Sequence, residues 1–257
     1  MSKKNQFNAL ILAAGFGTRL GKLGASTPKG LFKSNGNQSI VEKIVKQLKT
    51  ISTHSTTLLS NNLFFKQFDD FLKNNFSDAD INLLNNNVDN AHDRLGAIGD
   101  LLYSIKKLNW WNNDLLLLPS DTLFNFSLGD FIDFAQKHDE GFTTVVRKMD
   151  SVSEIRGRLG CAVLDKNKKI INFKEKPKNP PSRYAAIPFY YYPRKILALL
   201  KDYKKEFISD QSKMDAPGNI IPWLIKRGVP VYAYVTDKAT LDIGTPKDLE
   251  KFKKIGS

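Results

Sequence analysis

Residues 9–20 place a glycine-rich turn directly behind a short apolar run, and this arrangement limits the folds that the chain can adopt. The run 9–14 has the length and composition of a buried strand. Gly15 and Gly17 follow at its carboxyl end. A turn of this kind exposes several backbone N–H groups, and glycine lets a phosphate approach them closely. The sequence therefore predicts a strand followed by an anion-binding turn.

Two cations accompany this turn, since Arg19 lies within it and Lys29 follows ten residues later in the sequence. Their charges suit a triphosphate better than a neutral ligand. Two common phosphate-binding motifs are excluded by the spacing. A P-loop has the sequence G-x-x-x-x-G-K-[ST], and neither Gly15 nor Gly17 is the first residue of such a motif. The dinucleotide-binding motif G-x-G-x-x-G would need a third glycine where Leu20 stands.

Apolar runs alternate with amphipathic stretches through the first half of the chain, which is typical of an α/β protein. The predicted strands are 9–14, 57–60, 81–84 and 115–119, and the predicted helices are 40–48, 64–74, 98–108 and 128–138. This order predicts a Rossmann-like, doubly wound and mixed sheet that is largely parallel, with helices on both faces. Ligands bind such sheets beyond the carboxyl ends of the strands.

Shorter strands follow in the second half, and no linker rich in Gly, Ser or Pro separates the two halves. The predicted strands are 142–146, 160–164, 170–173, 185–192 and 231–234, and the predicted helices are 193–200 and 220–226. We therefore expect one domain, 1–257. Residues 1–140 form its nucleotide-binding half, and residues 141–257 bind the other substrate.

Two carboxylates in the sequence need an explanation. Asp121 ends the apolar strand 115–119, and a charged group at that edge needs a partner; beside a triphosphate the natural partner is Mg²⁺. A helix cap or turn is the alternative role. Thr245 and Pro246 suit an N-cap and a first helical position, but they leave Asp242 without a role.

Several segments between residues 12 and 246 resemble those of the sugar-phosphate nucleotidylyltransferases, in the family's order. They are 12–20 (L-A-x-G-x-G-T-R-L), the Pro-Lys pair 28–29 at the family's spacing, Asp121, the F-x-E-K-P segment 173–177 and the D-x-G-T-P segment 242–246. Weaker likenesses occur at 94–100 and 158–160. Lys22, Gly24, Ser120, Gly99 and Asp100 depart from the common pattern. The last two leave the identity of the base open.

The resemblance implies a role for each matched residue. Arg19, Lys29 and Asp121 would be catalytic, and Asp121 and Asp242 would hold Mg²⁺. Nucleotide-binding residues would be Leu12, Ala13, Ala14, Gly15, Gly17, Thr18, Gly96 and Ala97, and sugar-phosphate-binding residues would be Gly160, Glu175, Lys176 and Asn219. Asn219 belongs to the segment 215–219, which either faces the sugar or forms only a cap and a turn.

The implied reaction is Mg²⁺-dependent transfer of a nucleoside monophosphate from a triphosphate to a sugar 1-phosphate, with release of pyrophosphate. Because the attacking phosphate oxygen is already ionised, no general base is needed, and catalysis rests on positioning and charge neutralisation. Two alternatives stay open: a cytidylyltransferase acting on a non-sugar alcohol phosphate, and a non-catalytic regulatory protein that binds nucleotide sugars. A metal-dependent glycosyltransferase is disfavoured, because Asp121 is not part of a D-x-D motif.

Charge, apolar runs and cysteine content limit the kinds of partner and the cellular compartment that we expect for this chain. The net charge is +13, but the lysines are scattered, which favours solvated helix faces and attraction of phosphates over nucleic-acid binding. No apolar run approaches the roughly 18 residues of a membrane span. The single cysteine, Cys161, excludes an internal disulfide and predicts a cytoplasmic protein. The sequence is compatible with an oligomer of identical chains.

Overall fold

A mixed nine-stranded sheet runs through the centre of the protein, in a computed structural model that describes residues 6–78 and 80–255. Its strands are β1 (Phe7–Leu12), β2 (Ser55–Ser60), β3 (Ile81–Asn85), β4 (Asp114–Pro119), β6 (Phe142–Lys148), β7 (Gly160–Leu164), β8 (Ile170–Lys174), β9 (Tyr184–Tyr192) and β10 (Val231–Thr236). Their order is β10-β6-β9-β4-β1-β2-β3, and β7 pairs with β9 and β8. A separate antiparallel pair is formed by β5 (Thr122–Phe124) and β11 (Thr240–Asp242).

The helices pack on both faces of the sheet. They are α1 (Lys22–Ser26), α2 (Ile40–Leu48), α3 (Phe65–Asn75), α4 (Gly96–Leu108), α5 (Leu128–Gln136), α6 (Arg194–Phe207), α7 (Gln211–Asp215), α8 (Ile220–Lys226) and α9 (Pro246–Lys253). Helices α2, α3, α5 and α9 share one core with Ile11, whereas α4, α6 and α8 share the other with Leu10. Burial of both faces explains why the run 9–14 is apolar throughout rather than alternating.

Parallel pairing brings the ends of two central strands to one edge of the sheet. β1 is parallel to both β2 and β4, with Leu12 in register with Pro119. β9 is antiparallel to both β4 and β6, which makes the sheet mixed, as predicted. The turn after β1 and the residues after β4 therefore meet at the same edge, where ligands of doubly wound sheets bind.

Most predicted elements are present, and their differences in length have local causes. The first strand begins at Phe7 and ends at Leu12, where its register with β4 ends at Pro119, although Ala13 N–H still donates to the carbonyl of Leu59 in β2 at 2.8 Å. The helix predicted to end at residue 200 continues to Phe207, since Tyr203 extends its buried stripe between charged residues. No helix in the described residues is long and apolar enough to cross a membrane.

Candidate active site

A cavity of about 670 Å³ opens at the carboxyl edge of β1 and β4. It is lined by nearly all the residues that the sequence singled out: Leu12, Ala13, Ala14, Gly15, Gly17, Thr18, Arg19, Lys29, Gly96, Ala97, Asp121, Gly160, Glu175, Lys176 and Asp242. These residues come from segments that are far apart in the sequence. One cavity therefore contains the predicted phosphate-binding, metal-binding and sugar-binding groups.

The turn after β1 presents free backbone donors to this cavity. The N–H groups of residues 15–18 donate no hydrogen bond to any other described residue, and Leu20 N–H closes the turn on the carbonyl of Gly17 at 2.8 Å. Gly17 has a φ of 62°, in the left-handed region that favours glycine. A Cβ on Gly17 would also lie 3.0 Å from the backbone of Gly24, and a Cβ on Gly24 would overlap the carbonyl oxygen of Gly17, which explains the glycine at position 24. The result is a turn whose free N–H groups have the chemistry to bind an anion.

Gly15 and Gly17 are expected to respond differently to the same substitution. Gly17→Ala should lower the free energy of unfolding by about 1–2 kcal/mol, because alanine is strained at a left-handed position. Gly15→Ala should leave stability unchanged, since a Cβ there meets no atom within 4 Å, but should raise the KM for triphosphate by filling the approach to the N–H groups. Urea unfolding and steady-state kinetics of the two variants test this. Equal stability of the two variants would contradict the role assigned to Gly17.

The pair β5–β11 brings the two acidic residues together. Asp242 lies in register with Thr122, and Ile243 N–H donates to the carbonyl of Asp121 at 2.8 Å. Lys29 Nζ donates to Asp121 Oδ2 at 3.0 Å. A Cβ built on Gly244 would lie 3.2 Å from Asp242 Oδ2 and 3.7 Å from both terminal nitrogens of Arg19. Two carboxylates and two cations therefore converge beside the glycine turn.

The electrostatics of this cluster suit a divalent cation. Burial and the neighbouring Asp121 charge raise the pKa of Asp242, while the charges of Lys29 and Arg19 lower it. The Asp242 carboxylate forms no hydrogen bond with any residue in 6–78 or 80–255, so the described chain leaves it without a direct partner. No group of three or more His, Cys, Asp and Glu side chains in these residues could hold a metal ion. Two carboxylates match the chemistry of Mg²⁺, which keeps waters and takes phosphate oxygens as further ligands.

Glu175 lines the same cavity and contacts the space beside two glycines. Its Oε2 would lie 3.2 Å from a Cβ on Gly160 and 2.8 Å from one on Gly218, so both glycines make room for it. Burial raises the pKa of Glu175, and the adjacent Lys176 charge lowers it. Lys176 itself has a φ of 44°, a left-handed conformation that is uncommon for a side chain other than glycine. An acceptor and a cation thus stand side by side, as recognition of a phosphorylated diol requires.

Comparison with known proteins assigns the family. Residues 8–255 match the family model described as nucleotidyl transferase. The chain belongs to the nucleotidyl transferase family. The resemblance inferred from the sequence motifs is thereby confirmed.

The chain is similar to two curated proteins that are named glucose-1-phosphate adenylyltransferase. They come from Desulfitobacterium hafniense strains Y51 and DSM 10664 / DCB-2. Each is 25% identical over 260 residues, which cover 95% of this chain and 62% of the relative. The chain therefore spans about three-fifths of the length of these relatives.

A solved structure from Bacillus anthracis, assigned as a glucose-1-phosphate thymidylyltransferase and crystallised with a sucrose, has a TM-score of 0.77 at 22% identity. The alignment covers 96% of this chain and 94% of the other. This likeness confirms the predicted fold.

Asn219, which the resemblance assigns to the sugar-phosphate site, lies outside the cavity. Asn219 is not among the described residues that line the cavity. Its Nδ2 donates to the carbonyl of Ser212 at 2.8 Å and to that of Lys213 at 3.3 Å. The side chain therefore closes the turn that follows α7, and the alternative of a cap and turn describes it better than sugar-phosphate contact. Residues 215–218 of the same segment do line the cavity.

Sequence reasoning gave no role to two arginines that line the cavity. Arg94 forms a bidentate pair with Asp215, at 3.1 Å from Nε to Oδ1 and 2.8 Å from Nη2 to Oδ2. Arg158 reaches Asp248 Oδ1 at 3.3 Å. Each pair joins segments about 90 or more residues apart. The only sequence signal was the position of each arginine two residues before a glycine of the site, Gly96 or Gly160.

Proposed function

We propose that this protein transfers a nucleoside monophosphate from a nucleoside triphosphate to a sugar 1-phosphate and releases pyrophosphate. The convergence of Arg19, Lys29, Asp121 and Asp242 beside a turn of free N–H groups carries the proposal. The names of the relatives and of the solved structure all specify glucose 1-phosphate, which supports a sugar phosphate as the acceptor here. The same names differ in the nucleotide, so they leave the base open.

The phosphate end of the cavity neutralises charge. Backbone N–H groups of residues 15–18 would donate to the triphosphate, while Arg19 offsets charge on it and on the departing pyrophosphate. Lys29 holds Asp121 in place and adds a second positive charge. Asp121 and Asp242 would hold Mg²⁺, which when bound supplies further positive charge at the α-phosphate.

Glu175 and Lys176 would position the acceptor. Glu175 would accept hydrogen bonds from sugar hydroxyls, and Lys176 would hold the attacking phosphate by its charge. The attacking oxygen is ionised at neutral pH, so these residues need to move no proton. Their contribution is to hold the acceptor phosphate in line with the triphosphate.

A matrix of substrates tests the proposal. Pyrophosphate release is measured for ATP, GTP, CTP, UTP and dTTP against glucose 1-phosphate, other sugar 1-phosphates, and a polyol and an aminoalcohol phosphate, with Mg²⁺ present. We expect release only when a triphosphate and a sugar 1-phosphate are both supplied. Activity confined to CTP with a non-sugar phosphate would favour the cytidylyltransferase alternative. No release from any pair would overturn the proposal and favour a binding protein.

The Glu175→Gln variant is expected to separate acceptor recognition from triphosphate binding. We expect kcat/KM for the sugar 1-phosphate to fall about 10- to 100-fold, because a charged acceptor is lost, while the KM for triphosphate is retained. The free energy of unfolding at pH 7.5 should not fall, since burial disfavours the ionised form of Glu175 in the folded protein. Kinetics with each substrate varied in turn, and urea unfolding, measure both. Glu250→Gln, at an exposed position, is the matched control, and an unchanged kcat/KM in Glu175→Gln would contradict the assignment.

A further inference from the structure

Asp100 is an acidic residue on the cavity wall to which the proposed transfer reaction gives no role. It lies on α4 four residues after Gly96 and three after Ala97, so the three residues share one face of the helix. All three line the cavity. Asp100 therefore extends the surface that we assign to the nucleoside.

The carboxylate of Asp100 is held in a fixed position. Asn86 Nδ2 donates to Asp100 Oδ1 at 2.8 Å, and Asn86 Oδ1 accepts from Val88 N–H at 3.0 Å. Asn86 is buried, and both polar atoms of its side chain are engaged. Asp100 Oδ2 forms no hydrogen bond with any residue that the structure describes. One oxygen is thus anchored, and the other is free to accept a donor.

No residue in the described ranges supplies a counter-charge to the Asp100 carboxylate. Burial raises the pKa of Asp100 to about 6, with only the Asn86 hydrogen bond opposing it, so the carboxyl is mostly ionised at neutral pH. Arg94, on the segment that leads into α4, is committed to Asp215. A desolvated carboxylate without a cation is stabilised by hydrogen-bond donors and repels phosphates. The cavity therefore contains an uncompensated carboxylate at Asp100 as well as the cations Arg19 and Lys29.

We propose that Asp100 is a specificity-determining residue that accepts a hydrogen bond from a donor group on the nucleoside of the triphosphate. The donor is an amino or imino group of the base or a hydroxyl of the ribose, since both present N–H or O–H groups to an acceptor. The repulsion between Asp100 and phosphates also orients the triphosphate, with its nucleoside toward α4 and its phosphates toward the glycine turn. This inference rests on the proposed function for the identity of the ligand.

Equilibrium binding, measured by calorimetry without any acceptor phosphate, tests the inference separately from turnover. The probes are ATP, GTP, CTP, UTP and dTTP, with inorganic tripolyphosphate as a probe that has no nucleoside, all in the presence of Mg²⁺. We expect Asp100→Ala to weaken the preferred nucleotide about tenfold or more, and to leave tripolyphosphate binding unchanged or slightly stronger. Asp100→Asn retains an acceptor for Asn86 and should also change the ranking of the nucleotides. Asp70→Ala, at an exposed position of α3, is the control.

Two further arms identify the donor. Loss of the Asp100 effect with the 2′-deoxy or 3′-deoxy form of the preferred nucleotide assigns the donor to the ribose, whereas an effect that depends on the base assigns it to the base edge. Equal binding of every nucleotide by wild type and Asp100→Ala would overturn the inference, as would a parallel loss for tripolyphosphate. If no substrate pair releases pyrophosphate but nucleotide binding still depends on Asp100, the proposed function fails and the inference stands.

Discussion

Lys29→Ala is expected to lower the kcat of pyrophosphate release by about 100- to 1,000-fold, the usual effect of removing one preorganised electrostatic group. Lys29 Nζ lies 3.0 Å from Asp121 Oδ2, and its side chain is only 13% exposed. Without it, Asp121 loses its cation and the charges of Asp121 and Asp242 repel each other with less compensation. Arg19 would then be left as the remaining cation of this pair beside the triphosphate. Steady-state kinetics with both substrates saturating measure the effect.

Two variants accompany this measurement. Lys46→Ala removes an exposed lysine paired with Glu42 at 2.7 Å on α2, and should leave kcat unchanged. Lys29→Arg keeps the charge with a different shape, and should recover part of the rate. A kcat for Lys29→Ala within threefold of wild type would show that this lysine has no part in the chemistry.

Asp242→Asn is expected to have a larger effect, about 1,000-fold or more on kcat, because it removes one of two carboxylates that would hold the metal ion. The substitution should not destabilise the protein. Asp242 is half-buried and has no hydrogen-bond partner among the described residues, so the neutral amide removes an unfavourable charge without breaking a contact. Kinetics and urea unfolding on the same preparation separate loss of chemistry from loss of folding.

The matched control is Asp237→Asn, an exposed aspartate before β11. It should retain wild-type rates. If the Asp242→Asn variant has the wild-type kcat, the proximity of Asp121 and Asp242 has no part in the reaction. If it loses activity together with a large fall in unfolding free energy, Asp242 stabilises the fold and the account of its environment is wrong.

Local patterns predicted the elements whose causes are local. Helix α2 was predicted with its observed bounds, 40–48, because an apolar stripe follows Ser39, whose side chain caps the helix by accepting from Glu42 N–H. The pair β5–β11 was missed, since its three-residue strands carry too little pattern and join residues about 120 positions apart. This missed pair is also the element that brings Asp242 to Asp121.

The candidate site shows the same division between local and long-range causes. Motif and spacing gathered the residues of one cavity, but could not distinguish Gly15, which is open to the cavity, from Gly17, which the left-handed backbone requires. Asn219 lies outside the cavity lining because its side chain donates to the carbonyls of Ser212 and Lys213, contacts that are set by the turn after α7. The position of the Asp100 carboxylate depends on a hydrogen bond from Asn86, which belongs to the segment after β3. No sequence pattern predicts this contact.

Divalent-cation binding tests the central claim most directly, namely that Asp121 and Asp242 act together at the phosphate end of the cavity. Mn²⁺, as a probe for Mg²⁺, is titrated by electron paramagnetic resonance into wild type, Asp121→Asn, Asp242→Asn and the control Asp237→Asn, each with a non-hydrolysable analogue of the preferred triphosphate. The account predicts one tightly bound Mn²⁺ per chain in wild type and in the control, with affinity markedly reduced in both site variants. Unchanged Mn²⁺ affinity in either site variant would contradict it.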